Sequence, residues 1–440
     1  MKKKMQMSES LTAYLMVLPA VIIIFSIALW PVIQSFWYSM FDLRLNHPAK
    51  NAVHLKYQLD MEKFVDTQFY VEKALKDLEK SKGNKDKDKI AELSQVLSVM
   101  KEDLMKQPSV SERYKPVEEL LDAMKPVNDP QLKYAEIGKK DAEAYLSRVA
   151  KVKEGLLALS EKKDDPAIQA SNLMEELRVS IMEPNFIGLD NYKYFLSELT
   201  FKGNEMGRLG KALTNTIVIT IISVFMELVF GIAIALLINR SFKGRGLVRA
   251  AILVPWAIPT VVSARMWRFL YDGQTGIIAH WLAKLGIVSD TGVLMTTKFG
   301  AFSSVIFADV WKTTPYMALL ILAGLQTISE DLYEASNIDG ATKIQSFFRI
   351  TLPLLKPTVL VALLFRTLDA FRIFDLIYVL TGGGPGNSTE TISIYAYVTM
   401  FSQMDFGKGS TLSIVVFLCI SLISIIYIKV LGADVMKSGS

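Results

Sequence analysis

The stretch SEDLYEASNIDGATKIQSFFRITLP, residues 329–353, decides how the rest of the chain is read. Ser329 is a good helix N-cap, and Glu330 and Asp331 suit the positive end of a helix dipole. Gly340, following Asp339, suits a left-handed helix stop. A second short helix is expected from about Lys343 to Ile350, with Pro353 ending it. The stretch therefore predicts a helix-turn-helix. So small a hairpin cannot bury Leu332, Tyr333, Ile338, Phe347 and Phe348 by itself, so these side chains need a partner surface or a membrane interface. On either side the sequence turns apolar for long enough to cross a bilayer, over 302–325 and 357–380.

Working outward, four more blocks of the same kind occur, at about 11–39, 211–238, 247–271 and 411–431. A hydrocarbon core of about 30 Å needs about 20 mostly apolar helical residues, so six spans are expected. The first block follows MKKK and could be taken for a signal peptide, but it is too long for an h-region. Its Trp30 and Phe36-Trp37-Tyr38 form an interfacial aromatic belt rather than a cleavage site, which reads as an uncleaved first span.

Composition agrees with a membrane protein: 440 residues, 51% of them hydrophobic, and a mean hydropathy of +0.29. A net charge of +5 excludes a strongly basic nucleic-acid binder, so no nucleic acid is expected as a partner. The single cysteine excludes a disulfide framework, and His47, His54 and His280 are too scattered for metal spacing. No metal ligand and no catalytic residue is expected.

The short loops set the orientation. Lys2–Lys4, then Arg240, Lys243, Arg245 and Arg249, then Lys343, Arg349 and Lys356, and finally Lys429 and Lys437 all fall on one side if there are six spans. The positive-inside rule makes that side, and both termini, cytoplasmic. The region 42–184, between the first two spans, holds more than half of the chain's charged residues, nearly balanced in sign. It would lie outside, since long loops translocate largely regardless of charge. Ile90, Leu93, Leu97, Met100 and Leu104 form one narrow apolar seam, and Tyr145, Val149, Val152, Leu156 and Leu159 another, as in helices packed against each other. Breaks are expected at Lys80–Lys89, Gln107–Ser111, Lys125–Pro130 and Lys162–Pro166. The fold class is thus all-α: a polytopic membrane protein of six helices with a large extracytoplasmic helical insert. Its charge fits a solvated helix face or a partner-docking surface.

Glu334-Ala335-Ser336, Asp339-Gly340-Ala341, Ile350 and Leu352-Pro353 resemble the EAA signature of binding-protein-dependent ABC importer permeases. The signature places G six residues after E and I-x-L-P ten residues after G, and this chain departs from it only in having Ser336 for Ala. Other stretches resemble the sugar branch of that family: Asn215-Thr216, Pro255 to Pro259, Asp309-Val310-Trp311, Phe371 to Asp375, Thr381 to Pro385, and the lead-in from Asn185 to Tyr192. A large domain after the first span is similar to the larger permease subunit of maltose and maltodextrin importers.

The resemblance implies four parts: 1–41 as cytoplasmic N-terminus and first span, 42–184 as insert, 185–435 as permease core with five spans and coupling hairpin 329–353, and 436–440 as cytoplasmic tail. It implies a multi-pass protein of the bacterial plasma membrane. It also implies a second permease subunit, in a heterodimer, two ATPase domains, an extracytoplasmic solute-binding protein or lipoprotein, and an oligosaccharide substrate, maltodextrin being the first expectation. The chain has no GxxxxGKS/T phosphate loop, so it is not expected to be an enzyme or to bind a cofactor; ATP and Mg would belong to the partner ATPase. A secondary transporter, or a membrane-anchored sensory or structural protein, is the alternative.

Polar residues within the spans are costly in lipid and point to a pathway. Asp309, Trp311, Lys312 and Tyr316 in the fourth span and Arg366, Asp369, Arg372 and Asp375 in the fifth are the candidates. Trp311 and Tyr316 would stack on a sugar face. The charges could equally neutralise one another, with Asp369 paired to either Arg as the central member. Glu227, Arg265 and Arg268 read as packing or interface groups, and Pro255 and Pro259 as kinks.

Overall fold

The computed structural model describes residues 9–81, 86–160, 166–202 and 205–438. Lys2–Lys4, residues 82–85 of the expected break Lys80–Lys89, residues 162–165 of the expected break Lys162–Pro166, and the last two residues of the tail lie outside them. The chain divides into two compact units, one of residues 37–189 with 404–408, the other of the remainder.

The first span is α1 (Glu9–Ile24), a π-helical turn (Phe25–Leu29) and α2 (Trp30–Tyr38). None of its apolar window is buried within the chain. The unit of 37–189 holds β1 (Gln58–Asp60), α3 (Met61–Ser81), α4 (Lys87–Met105), α5 (Pro108–Asp122), α6 (Pro130–Lys133), β2 (Tyr134–Glu136), α7 (Lys139–Ala158), α8 (Pro166–Val179) and β3 (Ile181–Met182). Ile90, Leu93, Leu97, Met100 and Leu104 of α4 are all buried, as are Tyr145, Val149, Val152 and Leu156 of α7, in one core. Burying each such side chain is worth about 1.5–3 kcal/mol. The chain is all-α as expected; the unit adds to its helices only a small three-stranded antiparallel sheet, in the order β2-β1-β3, that gathers its ends. Two- and three-residue strands carry no period that a sequence pattern can reveal.

The compact unit, 37–189 with 404–408, encloses the expected insert 42–184. Phe41 is fully buried, with Trp37 and Phe186 against its ring at 5.1 and 5.3 Å. Asn185 ties the two ends together: its amide donates to the carbonyls of Asp42 and Ala52, and its Oδ1 accepts from His54 N–H at 2.8 Å.

The second unit contains α9 (Asp190–Ser197), the small β4–β5 hairpin (Phe201–Lys202, Glu205–Met206), α10 (Arg208–Asn239), α11 (Arg245–Ala257), α12 (Thr260–Leu270), α13 (Ile277–Lys284), α14 (Val293–Thr296) and α15 (Lys298–Leu325). It continues with α16 (Glu330–Ile338), α17 (Lys343–Ser346), a π-helical turn (Phe347–Thr351), α18 (Leu352–Phe371), α19 (Asp375–Leu380), α20 (Ile392–Tyr397) and α21 (Phe406–Ser438). Among the described residues five helices are long and apolar enough to span, six if α11 and α12 count as one span bent by 89°. That bend falls at Ile258–Pro259, where proline withdraws a helix N–H. The block 247–271 is thus a broken element, and 357–380 is likewise broken between Phe371 and Asp375. α15 is the central helix, buried along most of its apolar window and packed on α10, α11 and α18.

Candidate functional site: a coupling hairpin and a charged cleft on one helix

Ser329 Oγ accepts from Asp331 N–H and opens α16. Its end is a Schellman stop: Gly340 has φ +77°, Ala341 N–H donates to Ser336 O, and Gly340 N–H to Asn337 O. Thr342 and Gln345 form a capping box that opens α17. Ser336, the residue that departs from the signature, is buried, and its Oγ lies 3.0 Å from Ser346 Oγ across the turn. Tyr333 Oη lies 3.0 Å from Thr351 Oγ1. The hairpin is therefore stapled internally, while Ile338, Ile344 and Phe348 are 87%, 71% and 60% exposed. Glu334, Ala335 and Asp339 share the exposed surface, with Ala341 and Ile350 half-buried.

Pro353 does not end the second helix, contrary to expectation. Lys343–Phe371 is one helical run, because Pro353 falls in the first turn of α18, directly after the π turn. A proline there loses no N–H that the first turn would use. Ile350, Leu352 and Pro353 thus lie on the same helix as Arg366 and Asp369.

Arg366, 1% exposed, is the hub of the polar cluster. Its Nε and Nη2 donate to the two carboxylate oxygens of Glu227 at 2.5 and 2.9 Å. Nη2 also donates to Asp309 Oδ2 at 2.6 Å, and Nη1 to Asp369 Oδ2 at 3.2 Å. Glu227 Oε1 accepts from the Thr313 hydroxyl at 2.7 Å. One guanidinium thus bolts α10, α15 and α18 together. The central role expected of Asp369 belongs to Arg366: the Asp369 side chain is 57% exposed and shared with Arg372 at 3.6 Å. Glu227, read as a packing group, is a principal partner with no exposure. The sequence does carry a signal for it: Thr216, Thr220, Ser223 and Glu227 step by 4, 3 and 4 along an otherwise apolar helix, and all four are buried.

The cluster opens on a cleft of about 230 Å³ lined by Thr260, Asp309, Lys312, Arg366, Asp369, Arg372, Phe374 and Asp375, among others. Lys312 donates from Nζ to Ile258 O at 2.6 Å, satisfying a carbonyl freed by the α11–α12 break. Asp375 starts α19. Six of the eight pathway candidates therefore meet. Trp311 and Tyr316 do not join them: Trp311 packs edge-on against Trp267 at 5.3 Å, and Tyr316 stacks on Trp256 at 5.7 Å. The aromatic residue of the cleft is Phe374, itself stacked on Tyr378.

Residues 227–435 match the family described as binding-protein-dependent transport system inner membrane component. The chain is 45% identical over 250 residues to the trehalose/maltose transport system permease protein MalF of Thermococcus litoralis, covering 57% of this chain and 81% of that one. It is 42% identical over 259 residues to the trehalose transport system permease protein SugA of Mycobacterium tuberculosis, covering 58% and 79%. It is 38% identical over 247 residues to the sulfoquinovosyl glycerol transport system permease protein SmoG of Agrobacterium fabrum, covering 56% and 77%. The chain belongs to this family of ABC importer permeases, and these three relatives are permeases of sugar or sugar-glycerol transport systems.

Proposed function

We propose that the chain is one of two permease subunits that carry an oligosaccharide, of the maltodextrin or trehalose/maltose kind, from an extracytoplasmic binding protein into the cell. The second permease differs from it, and two separate ATPase domains bind and hydrolyse ATP with Mg. The positive-inside pattern orients both termini and the hairpin 329–353 to the cytoplasm and the unit of 37–189 to the outside. The observation that carries the reading is the hairpin: Ile338, Ile344 and Phe348 stand exposed on an internally stapled, signature-bearing element. Such a surface calls for a protein partner.

In this reading Glu334, Ala335, Ser336, Asp339, Gly340, Ala341, Ile350, Leu352 and Pro353 form and support the ATPase contact. Asp309, Lys312, Arg366, Asp369, Arg372 and Asp375 belong to the sugar pathway, where carboxylates accept and ammonium or guanidinium groups donate hydrogen bonds to hydroxyls. Trp311 and Tyr316 support the bent α11–α12 element that forms a wall of the pathway. ATP binding draws the hairpins together and shifts the spans between outward-facing and inward-facing states, a rigid-body change set by differential binding.

Reconstitution in proteoliposomes tests this. Uptake of labelled maltotriose or trehalose should require the partner permease, the ATPase, the binding protein and internal ATP. Uptake driven by an ion gradient without ATP would establish a secondary transporter instead.

A further inference from the structure

We infer that Glu227 is a positioning residue, which together with the Asp309 carboxylate holds Arg366 so that the Lys343–Phe371 helix delivers hairpin movement to α10 and α15. The inference rests on the reading of the hairpin as the ATPase contact. From Ile350 to Arg366 the helix runs about 24 Å, at 1.5 Å per residue. One end carries signature residues, and the other ends in the cleft through Arg366 and Asp369. A displacement at the hairpin reaches the cleft only as far as this helix grips its neighbours.

The other buried residues of α18 are Leu355, Ala362, Ala370 and Phe371. In lipid, van der Waals packing and interhelical hydrogen bonds, not the hydrophobic effect, hold such helices together, and packing alone is weakly directional. The guanidinium differs, because its hydrogen bonds have fixed directions. Two parallel bonds to Glu227 fix the axial position and rotation of α18 against α10, and the bond to Asp309 fixes it against α15. Breaking any of these inside the membrane strands a charge, so the three helices move as one body. Glu227 does not line the cleft, so its part in transport is to hold Arg366 rather than to touch sugar.

The test uses the full reconstituted importer and reads sugar transported per ATP hydrolysed, with and without binding protein. Glu227→Gln leaves Arg366 and Asp309 balanced in charge but weakens the bidentate pair. Glu227→Met removes the paired oxygens altogether, at a residue outside the cleft, and still leaves Arg366 with Asp309 and Asp369 as partners. Both are expected to assemble, to hydrolyse ATP without binding protein, and to lose at least about five-fold in sugar per ATP, the low end of ordinary coupling free energies. Glu227→Gln should keep the wild-type apparent KM for sugar. Wild-type stoichiometry in either variant, including a parallel fall of both rates, overturns the inference and leaves the cluster a packing device. If Glu227→Met does not assemble, Glu227→Gln decides alone. Gly340→Val checks the underlying reading separately: normal uptake in that variant removes the hairpin assignment, whatever the joint variants do.

Discussion

Removing the Arg366 side chain would strand Glu227 and Asp309, both buried and both accepting from it. Breaking a buried pair from one side costs about 3–5 kcal/mol, so Arg366→Ala is expected to lose most of the assembled permease, read as yield and thermal midpoint in detergent. Asp369→Ala should be much milder, because Asp369 is half-exposed and Arg366 keeps two carboxylates. Its cost should appear in the apparent KM for sugar, and equal damage from the two variants would contradict the assignment of Arg366 as hub. Gly340 acts through the backbone alone: its φ is +77° and nothing would meet an added Cβ. A β-branched residue held there costs about 1–3 kcal/mol, so Gly340→Val should insert normally while ATPase docking and uptake fall. His54 gives the unit of 37–189 a pH dependence. Burial lowers its pKa from 6.5; Nδ1 lies 3.2 Å from Gln58 Oε1, and the buried Nε2 has no partner among the described residues. The unfolded chain therefore takes up the proton first as pH falls below about 6.5. Stability is expected to be full above that pH and to decline below it, and His54→Gln should flatten this slope in thermal melts at different pH.

The helices α15 and α18 approach each other at Gly324, where a Cβ would stand 2.6 Å from Thr358 Oγ1. Small residues let membrane helices close in this way, and over-packing costs about 1–3 kcal/mol. Gly324→Leu should therefore lower the thermal midpoint of the complex and weaken crosslinking between cysteines placed on α15 and α18. At this scale much was legible in the sequence. The hairpin's caps and its left-handed stop follow from local chemistry, since Ser329, Asp339-Gly340 and Thr342 act within four residues of themselves. The apolar seams of α4 and α7 follow from periodicity. What escaped depends on contacts across the chain. Pro353 looks like a stop until the π turn before it shifts the hydrogen-bond ladder. The i, i+3 spacing from Arg366 to Asp375 looks like a closed ladder until Glu227, far off in sequence, takes the guanidinium. Tyr316 looked like a sugar platform because its partner Trp256 lies sixty residues earlier.

Two compact units occur in one chain, and the core of the 37–189 unit is made from its own helices α3, α4, α5, α7 and α8. Nothing in that core comes from the apolar spans, so the unit has the means to fold alone. The seams suggest a fragment of about 50–180, but the sheet and the Asn185 bonds call for a longer one. Cutting at residue 180 removes β3, which pairs with β1, and Asn185, which binds Ala52 and His54 near the start. Residues 50–189 are therefore expected to give a soluble, helical fragment with a cooperative thermal transition. Residues 50–180 should melt earlier and more broadly, because β1 keeps only its β2 partner and the two ends of the fragment are no longer joined. Lost hydrogen bonds of this kind are worth about 0.5–1.5 kcal/mol each; Asn185 alone gives up three within the fragment, to Ala52 O and to the N–H and O of His54, and the β1–β3 pairing goes as well, so a midpoint several degrees lower is expected. Circular dichroism melts of both fragments at neutral pH provide the comparison. A random-coil spectrum for residues 50–189 would show that the core needs the membrane unit to form. Equal midpoints would show that the helical core, without its sheet, carries the whole stability of the domain.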